Sequence, residues 1–578
     1  MRYVLSILAI TLSGSLLASP SLWTAPAMDR VFRTSEPGTW QPAIRAARNE
    51  WESLQLVLHA TPEELKQATL TATSLQGPHD ALIPAPVLLR EDFVAITHSS
   101  EHSPMQAGMY PDALVPQTFP WPPLPGSEAI NQPYWIDIYV PPDAVPGDYQ
   151  GTLTIKLTSG TTLSRAYTLK VWDFELPRLP TLKSSIFIMW RRIAAVHGFD
   201  EKASRAEPPL QAILNDYYDM LVEHRLSPHE VWATYPDDTD PLSDASFAHM
   251  EAGLRQHLLQ RQAGTLGLPL WPTWPLGDPL GKDRKAALDY VARYYRICEK
   301  LGCADRLYKI FGELDEPNSA EQYALVREWG KFFTELRERH HIKVPLLITE
   351  QIKPDNKSWG SLIGSVDIWV PHVGQVWQDT ESAKAPHNID KRLAAGEKVW
   401  TYTALVQAPE EWMAAHDHPK RLAQGQPPVW LTDYPSMNYR ILGWLAPQHG
   451  ITGFTYWNTS FWKGDDFDVW ANNGTYPHDN DEMYNGDGFL IYPARQKRHG
   501  REGPIASIRL KWIRESIDDH DYFALMQQRG FGKNATEAAQ TFARGFGDWD
   551  DNPTALDAAR TRLGEHLERI HARRTATR

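Results

Sequence analysis

From Ser19 to about Pro180, apolar and polar positions exchange over short runs broken by turn residues. Ser53-Leu54-Gln55-Leu56-Val57-Leu58 and Trp135-Ile136-Asp137-Ile138-Tyr139-Val140 carry the partial alternation of strands. Pro146-Gly147-Asp148 marks a turn, and Thr152-Leu153-Thr154-Ile155 resumes the alternation. Short strands at this spacing predict an N-terminal β-sandwich over residues 19–180, with the Pro-dense stretch 111–133 as a long surface loop. Trp172 to Pro180 is the expected hinge. Beyond it the period changes, and strand patterns begin to alternate with helical ones. Ser185–Trp190 precedes a helix near Leu210–His224, and Leu268–Trp274 precedes the helix Arg284–Lys300. The strand-like run Leu307–Leu314 precedes the helix Ala320–Arg339. Val344–Glu350, Val366–Val370, Lys398–Thr403 and Ile451–Trp457 follow as further strands. This β/α alternation predicts a central (β/α)8 TIM-type barrel over 181–500. Helical patterns at Pro504–Gln528, Ala535–Phe546 and Thr554–His571 then predict a C-terminal helical extension, 501–578, packed on the barrel. The expected class is therefore multidomain, α/β plus β.

A chain of 578 residues can bury more than one core, in keeping with that division. Residues 1–18 hold one basic residue, Arg2, an apolar run relieved by Thr11, Ser13 and Ser15, and a small residue, Ala18. That pattern predicts a secretory signal peptide and a secreted or periplasmic protein. No later stretch approaches the roughly 18 uninterrupted apolar residues of a membrane span. The net charge of −13 comes without a long basic block, which argues against a nucleic-acid partner. The two cysteines, Cys298 and Cys303, are too few for a disulfide framework, and their spacing leaves open whether they bond to each other. Neither they nor their neighbours suggest a metal site, and no cofactor is expected. The 23 Trp and 22 Tyr fit core filling, or a protein that stacks aromatic faces on sugar rings.

In a barrel of this kind the residues at the C-terminal ends of the strands line the active site. Those ends offer Trp190, Trp274, Asp315 with Glu316, Glu350, His372, Tyr402 and the run Tyr456-Trp457-Asn458. Asp315 and Glu316 are adjacent where the chain turns from strand to helix, so both can reach one cleft and share acid/base work. Pro317 biases Glu316 towards extended geometry; the plainer reading makes Asp315 and Asn318 caps of the following helix and leaves Glu316 solvated. The acidic, aromatic stretch 461–486 reads as a loop beside the cleft; its acids and amides leave Ca2+ binding open, but without a recognised ligand spacing.

Several stretches together resemble glycoside hydrolase family 123. Ala47 to Gln55 and Trp135 to Gly151 are similar to its N-terminal sandwich, and Asp315-Glu316-Pro317 resembles its catalytic signature. Gly486-Asp487-Gly488-Phe489, Ser507-Ile508-Arg509-Leu510 and Ile517 to Tyr522 resemble the end of its catalytic domain. The resemblance implies a glycan or glycoconjugate substrate. It implies a retaining, exo-acting β-N-acetylgalactosaminidase whose substrate supplies its own 2-acetamido group as nucleophile. Asp315 would then stabilise the acetamide and Glu316 act as acid/base, a recognised exception to the rule of two enzymic carboxylates. Glu316 must carry a proton at the start, a form that an ionised neighbour favours.

Alternatives stand beside this reading. Glu350 is either a protein nucleophile, as in retaining barrels with two carboxylates, or a structural acid. It falls on the fifth expected strand rather than the seventh, where those barrels place their nucleophile. Trp457 is a sugar floor or core packing. Tyr402 is a donor to the acetamido oxygen or a barrel-layer residue. Trp190, His372, Tyr456 and Asn458 are substrate contacts or packing, and Asp433 binds a sugar hydroxyl or closes an Asx turn. A non-catalytic glycan-binding protein on the same fold is the remaining reading.

Overall fold

The computed structural model describes residues 19–200, 203–237, 239–349, 355–381, 386–405, 427–462, 470, 475–477 and 483–576. The expected signal peptide, Glu350 and most of the 461–486 stretch lie outside the described residues.

The N-terminal part is two β-sheets. One is antiparallel and runs Ser21–Pro26, Glu50–Ala60, Ile130–Val140, Val87–Ile96, Gly108–Pro116 across its width. The other is built on the antiparallel pair Gly147–Lys156 and Thr162–Glu175, with Ala43–Arg48 added in parallel. Period-2 alternation decides what each face covers. Leu54, Leu56, Leu58, Ile136 and Ile138 share a core with Tyr149, Leu153, Ile155 and Leu169 of the second sheet. Ser53, Trp135 and Asp137 point the other way, towards the rest of the protein. Two expectations change here. Residues 111–116 belong to an edge strand rather than a loop. The expected hinge starts inside the long strand Thr162–Glu175, because Trp172 and Phe174 are buried against Tyr522 and keep the chain extended to that point.

Beyond residue 180 a parallel sheet forms in the order Lys183–Ile186, Ile451–Tyr456, Lys398–Tyr402, Ile368–Trp369, Leu347–Ile348. Leu266–Gly267 and Leu307–Tyr308 form a separate parallel pair. Backbone bonds extend from both edges of the five-strand sheet. Lys309 N donates to Pro345 O and Leu347 N to Lys309 O, both at 2.8 Å. On the opposite edge His229 N donates to Ile186 O at 2.8 Å and Gly267 N to His229 O at 3.2 Å. The sheet is therefore curled. The helices Pro208–Glu223, Arg284–Lys300 and Ala320–His340 follow its strands in sequence and bury one face each.

Helix Ile508–Gln528 is not a surface extension. Nearly every residue on it is buried, with charged ones in the majority on some turns, so its periodicity reads as amphipathic although it has no solvent face. It lies between the N-terminal sheets and the second unit. Lys511 and Arg514 each reach Asp137 at 2.7 Å, and Arg509 pairs with Asp112 at 3.0 Å. On the other side Asp519 takes Arg440 at 2.7 Å, and Gly443 N donates to Ser516 Oγ at 2.8 Å. The expected start at Pro504 shifts because Gly503–Ala506 pairs as a strand with Ile491–Ala494. The expected helix Ala535–Phe546 ends at Ala539, and Ala543–Gly545 turns into a small hairpin. Cys298 and Cys303 are free buried thiols. No described helix is long and apolar enough to cross a membrane.

Candidate active site

Because the strands of the curled sheet are parallel, their C-terminal ends gather at one edge, and a cleft of about 340 Å3 opens there. Phe187 follows the first strand, Thr349 follows Leu347–Ile348, Tyr402 ends Lys398–Tyr402, and Thr455 and Trp457 flank the end of Ile451–Tyr456. Asp315, Glu316 and Asp487 complete the working surface.

The acid pair is reached by an abrupt turn. Pairing ends at Lys309, which bridges Leu346, a 3-10 turn occupies Gly312–Leu314, and Asp315 is extended. Glu316 takes φ +44°, the left-handed region, rather than the extended geometry expected before Pro317. A non-glycine residue there is strained, and strain of this kind persists only where surrounding contacts hold it. Thr349 is such a contact: its Oγ1 accepts the Glu316 N–H at 3.1 Å and donates to Asp315 Oδ1 at 2.5 Å. Asp315 and Glu316 are both exposed to the same cleft. Helix Ala320–His340 is capped by Ser319, whose hydroxyl accepts Gln322 N at 3.2 Å, so neither Asp315 nor Asn318 is its cap. Tyr402 donates its hydroxyl to Glu316 Oε1, not into the open cleft.

Trp457 borders the cleft half-exposed, its indole Nε1 donating to Asp487 Oδ1 at 3.2 Å. Asp487 is buried. Burial pushes its carboxyl up to about 6, against hydrogen bonds from Trp457, Leu405, Gly488 and Tyr456 that favour the ionised form. Beneath the cleft, Phe187 stacks on His229 at 4.2 Å, and Tyr308 donates to Ser185 Oγ at 2.5 Å.

Other expected contacts are spent within the protein. His372 is wholly buried: Nδ1 accepts Gly374 N at 3.0 Å, capping helix Val373–Thr380, and Nε2 lies 2.9 Å from Ala404 O. Its ring supports Tyr402 edge-on at 5.1 Å, so it stands behind the cleft wall. Asp433 is buried among Ser100 N at 2.6 Å, Ser100 Oγ at 2.7 Å and Asn485 Nδ2 at 3.2 Å, tying the N-terminal sheets to the segment before Gly486. Asn458 Oδ1 accepts Ser460 N at 2.8 Å in a local turn. Tyr456 is buried, and its hydroxyl accepts Gly488 N at 2.9 Å. Trp190 opens helix Trp190–Val196 with Arg191 and Arg205 at 4.7 and 5.1 Å from its ring, away from the cleft lining. Glu350 lies outside the described residues. Sequence reasoning missed Thr349, Phe187 and Asp487. The signal for Asp487 was its place between two glycines, and Thr349 was one residue from the strand end assigned to Glu350.

The catalytic-domain model of glycoside hydrolase family 123 matches residues 376–526, and that family's N-terminal domain model matches residues 33–157. The catalytic match holds Tyr402, Trp457 and Asp487; the acid pair lies before it. No curated protein matches the chain. Among solved structures the chain is similar to a family 123 glycoside hydrolase from Clostridium perfringens, studied for glycolipid glycan hydrolysis. That likeness has 14% identity, covers 97% of this chain and 100% of that one, and has a TM-score of 0.63, which speaks for a shared fold. Fainter likenesses, on which nothing rests, reach a GH5 xyloglucanase from Bacteroides ovatus and a family 39 glycoside hydrolase from Bacteroides cellulosilyticus. The first has 9% identity, covers 86% of this chain and 100% of that one, with a TM-score of 0.28; the second has 10% identity, covers 82% of each, with a TM-score of 0.25. With the N-terminal and catalytic domain models matched in order, the chain carries the two domains of glycoside hydrolase family 123.

Proposed function

We propose that the protein is an exported hydrolase of β-linked N-acetylhexosamine, N-acetylgalactosamine first, working by substrate assistance with retention. The observation that carries this reading is that two consecutive carboxylates, Asp315 and Glu316, face one cleft, each with a hydroxyl donor on it. In the first step the acetamido oxygen attacks the anomeric carbon while the bond to the leaving oxygen breaks, and Glu316 gives that oxygen its proton. Positive charge develops on the oxazolinium ring. Asp315, oriented by Thr349 through one oxygen, accepts the acetamido N–H with the other, stabilising the developing charge. In the second step water attacks the same carbon, Glu316 takes its proton, and the acetamide leaves. Two inversions give retention.

The supporting scaffold is read as a (β/α)8 barrel. Residues 227–229 and the pair 266–267 and 307–308 would serve as three staves beside the five-strand sheet, the backbone bonds at its edges closing the ring. The units are 19–180, 181–500 and 501–578, the last wedged between the first two. Residues 1–18 would be removed on export to the periplasm or beyond, which N-terminal sequencing of the exported protein tests. The glycolipid glycan of the Clostridium structure makes glycoconjugate glycans the substrate class to try first.

Release of 4-nitrophenol from aryl β-glycosides tests the function. Turnover of 2-acetamido sugars, absent for the 2-hydroxy analogues and abolished by Glu316→Gln on a poor leaving group, supports it. Equal turnover of 2-hydroxy sugars, or a covalent glycosyl adduct trapped on Glu350, would replace it with a protein nucleophile.

A further inference from the structure

We propose that Asp487 is a positioning residue that fixes the Trp457 indole as the floor of the sugar site; this rests on reading the cleft as an N-acetylhexosamine site. Its Oδ1 accepts the Trp457 Nε1–H at 3.2 Å and the Tyr456 hydroxyl at 3.4 Å, and its Oδ2 accepts Leu405 N at 3.3 Å. A carboxylate offers about four lone-pair sites, and protein donors fill most of these. Asp487 borders the cleft, yet little of its capacity is left for a sugar hydroxyl. Its work is on the protein groups that hold the floor.

The flanking glycines make the arrangement possible. Gly486, at φ +76°, would place a Cβ 2.1 Å from Thr432 Oγ1; Gly488, at φ +67°, would place one 2.3 Å from Trp457 Cζ2. The bare backbone of Gly488 is therefore the surface against which the indole lies. Phe461 closes a further side with ring centroids 4.9 Å apart. One edge of the indole is tied to a carboxylate and two sides are packed, so the plane is set before any ligand arrives. An aromatic floor binds a pyranose only when that plane is right, and errors near 1 Å at such a site cost affinity steeply. The Leu405 bond ties the same carboxylate to the segment that follows Tyr402, so floor and acid-side wall share one anchor.

The test uses the full chain and five variants: Asp487→Asn, Trp457→Ala, their double, Gly488→Ala, and Gly488→Ala combined with Trp457→Ala. The amide keeps the volume but turns a donor towards Trp457 or Leu405. Asp487→Asn is expected to raise KM for the aryl 2-acetamido glycoside, and to weaken calorimetric binding of free N-acetylgalactosamine, about tenfold, with kcat within about threefold. Trp457→Ala gives the same signature, and the double variant is no worse than Trp457→Ala alone, because Asp487 acts through the indole. Losses that multiply in the double variant, or a fall in kcat with KM unchanged, would overturn the proposal. If Asp487→Asn does not fold, Gly488→Ala must raise KM and be masked in the same way by Trp457→Ala. A wild-type protein that turns over no 2-acetamido glycoside counts against the reading of the cleft; one that does, with multiplying losses, counts against Asp487 alone.

Discussion

Thr349 holds Asp315: its hydroxyl donates to Asp315 Oδ1 at 2.5 Å while accepting the backbone N–H of Glu316 at 3.1 Å. One side chain from the next strand thus fixes both members of the acid pair and supports the left-handed backbone of the second. Thr349→Val keeps the shape and removes both bonds. Losing the bonds that position both acids should lower kcat/KM roughly 10- to 100-fold, about 1.4–2.7 kcal/mol of activation free energy. Thr349→Ser should stay within about threefold of wild type. Initial rates on an aryl 2-acetamido glycoside, with unfolding midpoints as control, check both.

Tyr402 acts on the other acid. Its hydroxyl donates to Glu316 Oε1, a bond that orients the carboxyl within the cleft. Tyr402→Phe is expected to lower kcat/KM about tenfold or more, and the loss should grow as the leaving group becomes poorer, since only poor leaving groups need the proton early. A loss independent of leaving group would place Tyr402 outside the acid step.

Buried charge joins the N-terminal sheets to helix Ile508–Gln528, which sets a pH response. Burial alone would push the Asp137 carboxyl up, but Arg514 and Lys511 hold it far below the usual carboxylate range. A carboxyl depressed in the folded state stabilises at pH values above its unfolded pKa of about 3.9, and that contribution is lost as pH falls below it. Asp137→Asn takes from buried Lys511 the carboxylate it pairs with and leaves Arg514 with Glu515 at 3.3 Å, and should destabilise by about 3–5 kcal/mol at neutral pH. The difference between wild type and variant should shrink in acid below about pH 4. Denaturant unfolding at pH 7 and pH 3 checks the sign; a gap that widens in acid would contradict it.

The sheet edge that carries the site was legible because apolar runs ending in polar or aromatic residues mark strand ends. Asp315, Glu316, Tyr402 and Trp457, read from strand ends, all line the cleft, and the helix Arg284–Lys300 has the expected bounds. What strand ends do not reveal is the direction a side chain takes. His372 and Asp433 sit at the expected places in sequence but turn into the protein, where backbone amides and hydroxyls satisfy them. Thr349 was hidden by a boundary error of one residue, since Glu350 drew the attention a carboxylate attracts. Helix Ile508–Gln528 was misjudged for a different reason. Charges buried on every face look like solvent exposure until their partners are known, and Lys511 meets Asp137 across 374 positions of sequence.

If the substrate's own acetamide is the nucleophile, oriented by Asp315, its basicity must set the rate. The most direct measurement is kcat/KM for 4-nitrophenyl β-galactosaminides whose N-acyl group is acetyl, monofluoroacetyl, difluoroacetyl or trifluoroacetyl. Each fluorine weakens the carbonyl oxygen as a nucleophile and scarcely changes the leaving group. The account predicts a steep, monotonic fall across the series, at least about tenfold from first to last. A flat series would contradict it and return the nucleophile to the protein.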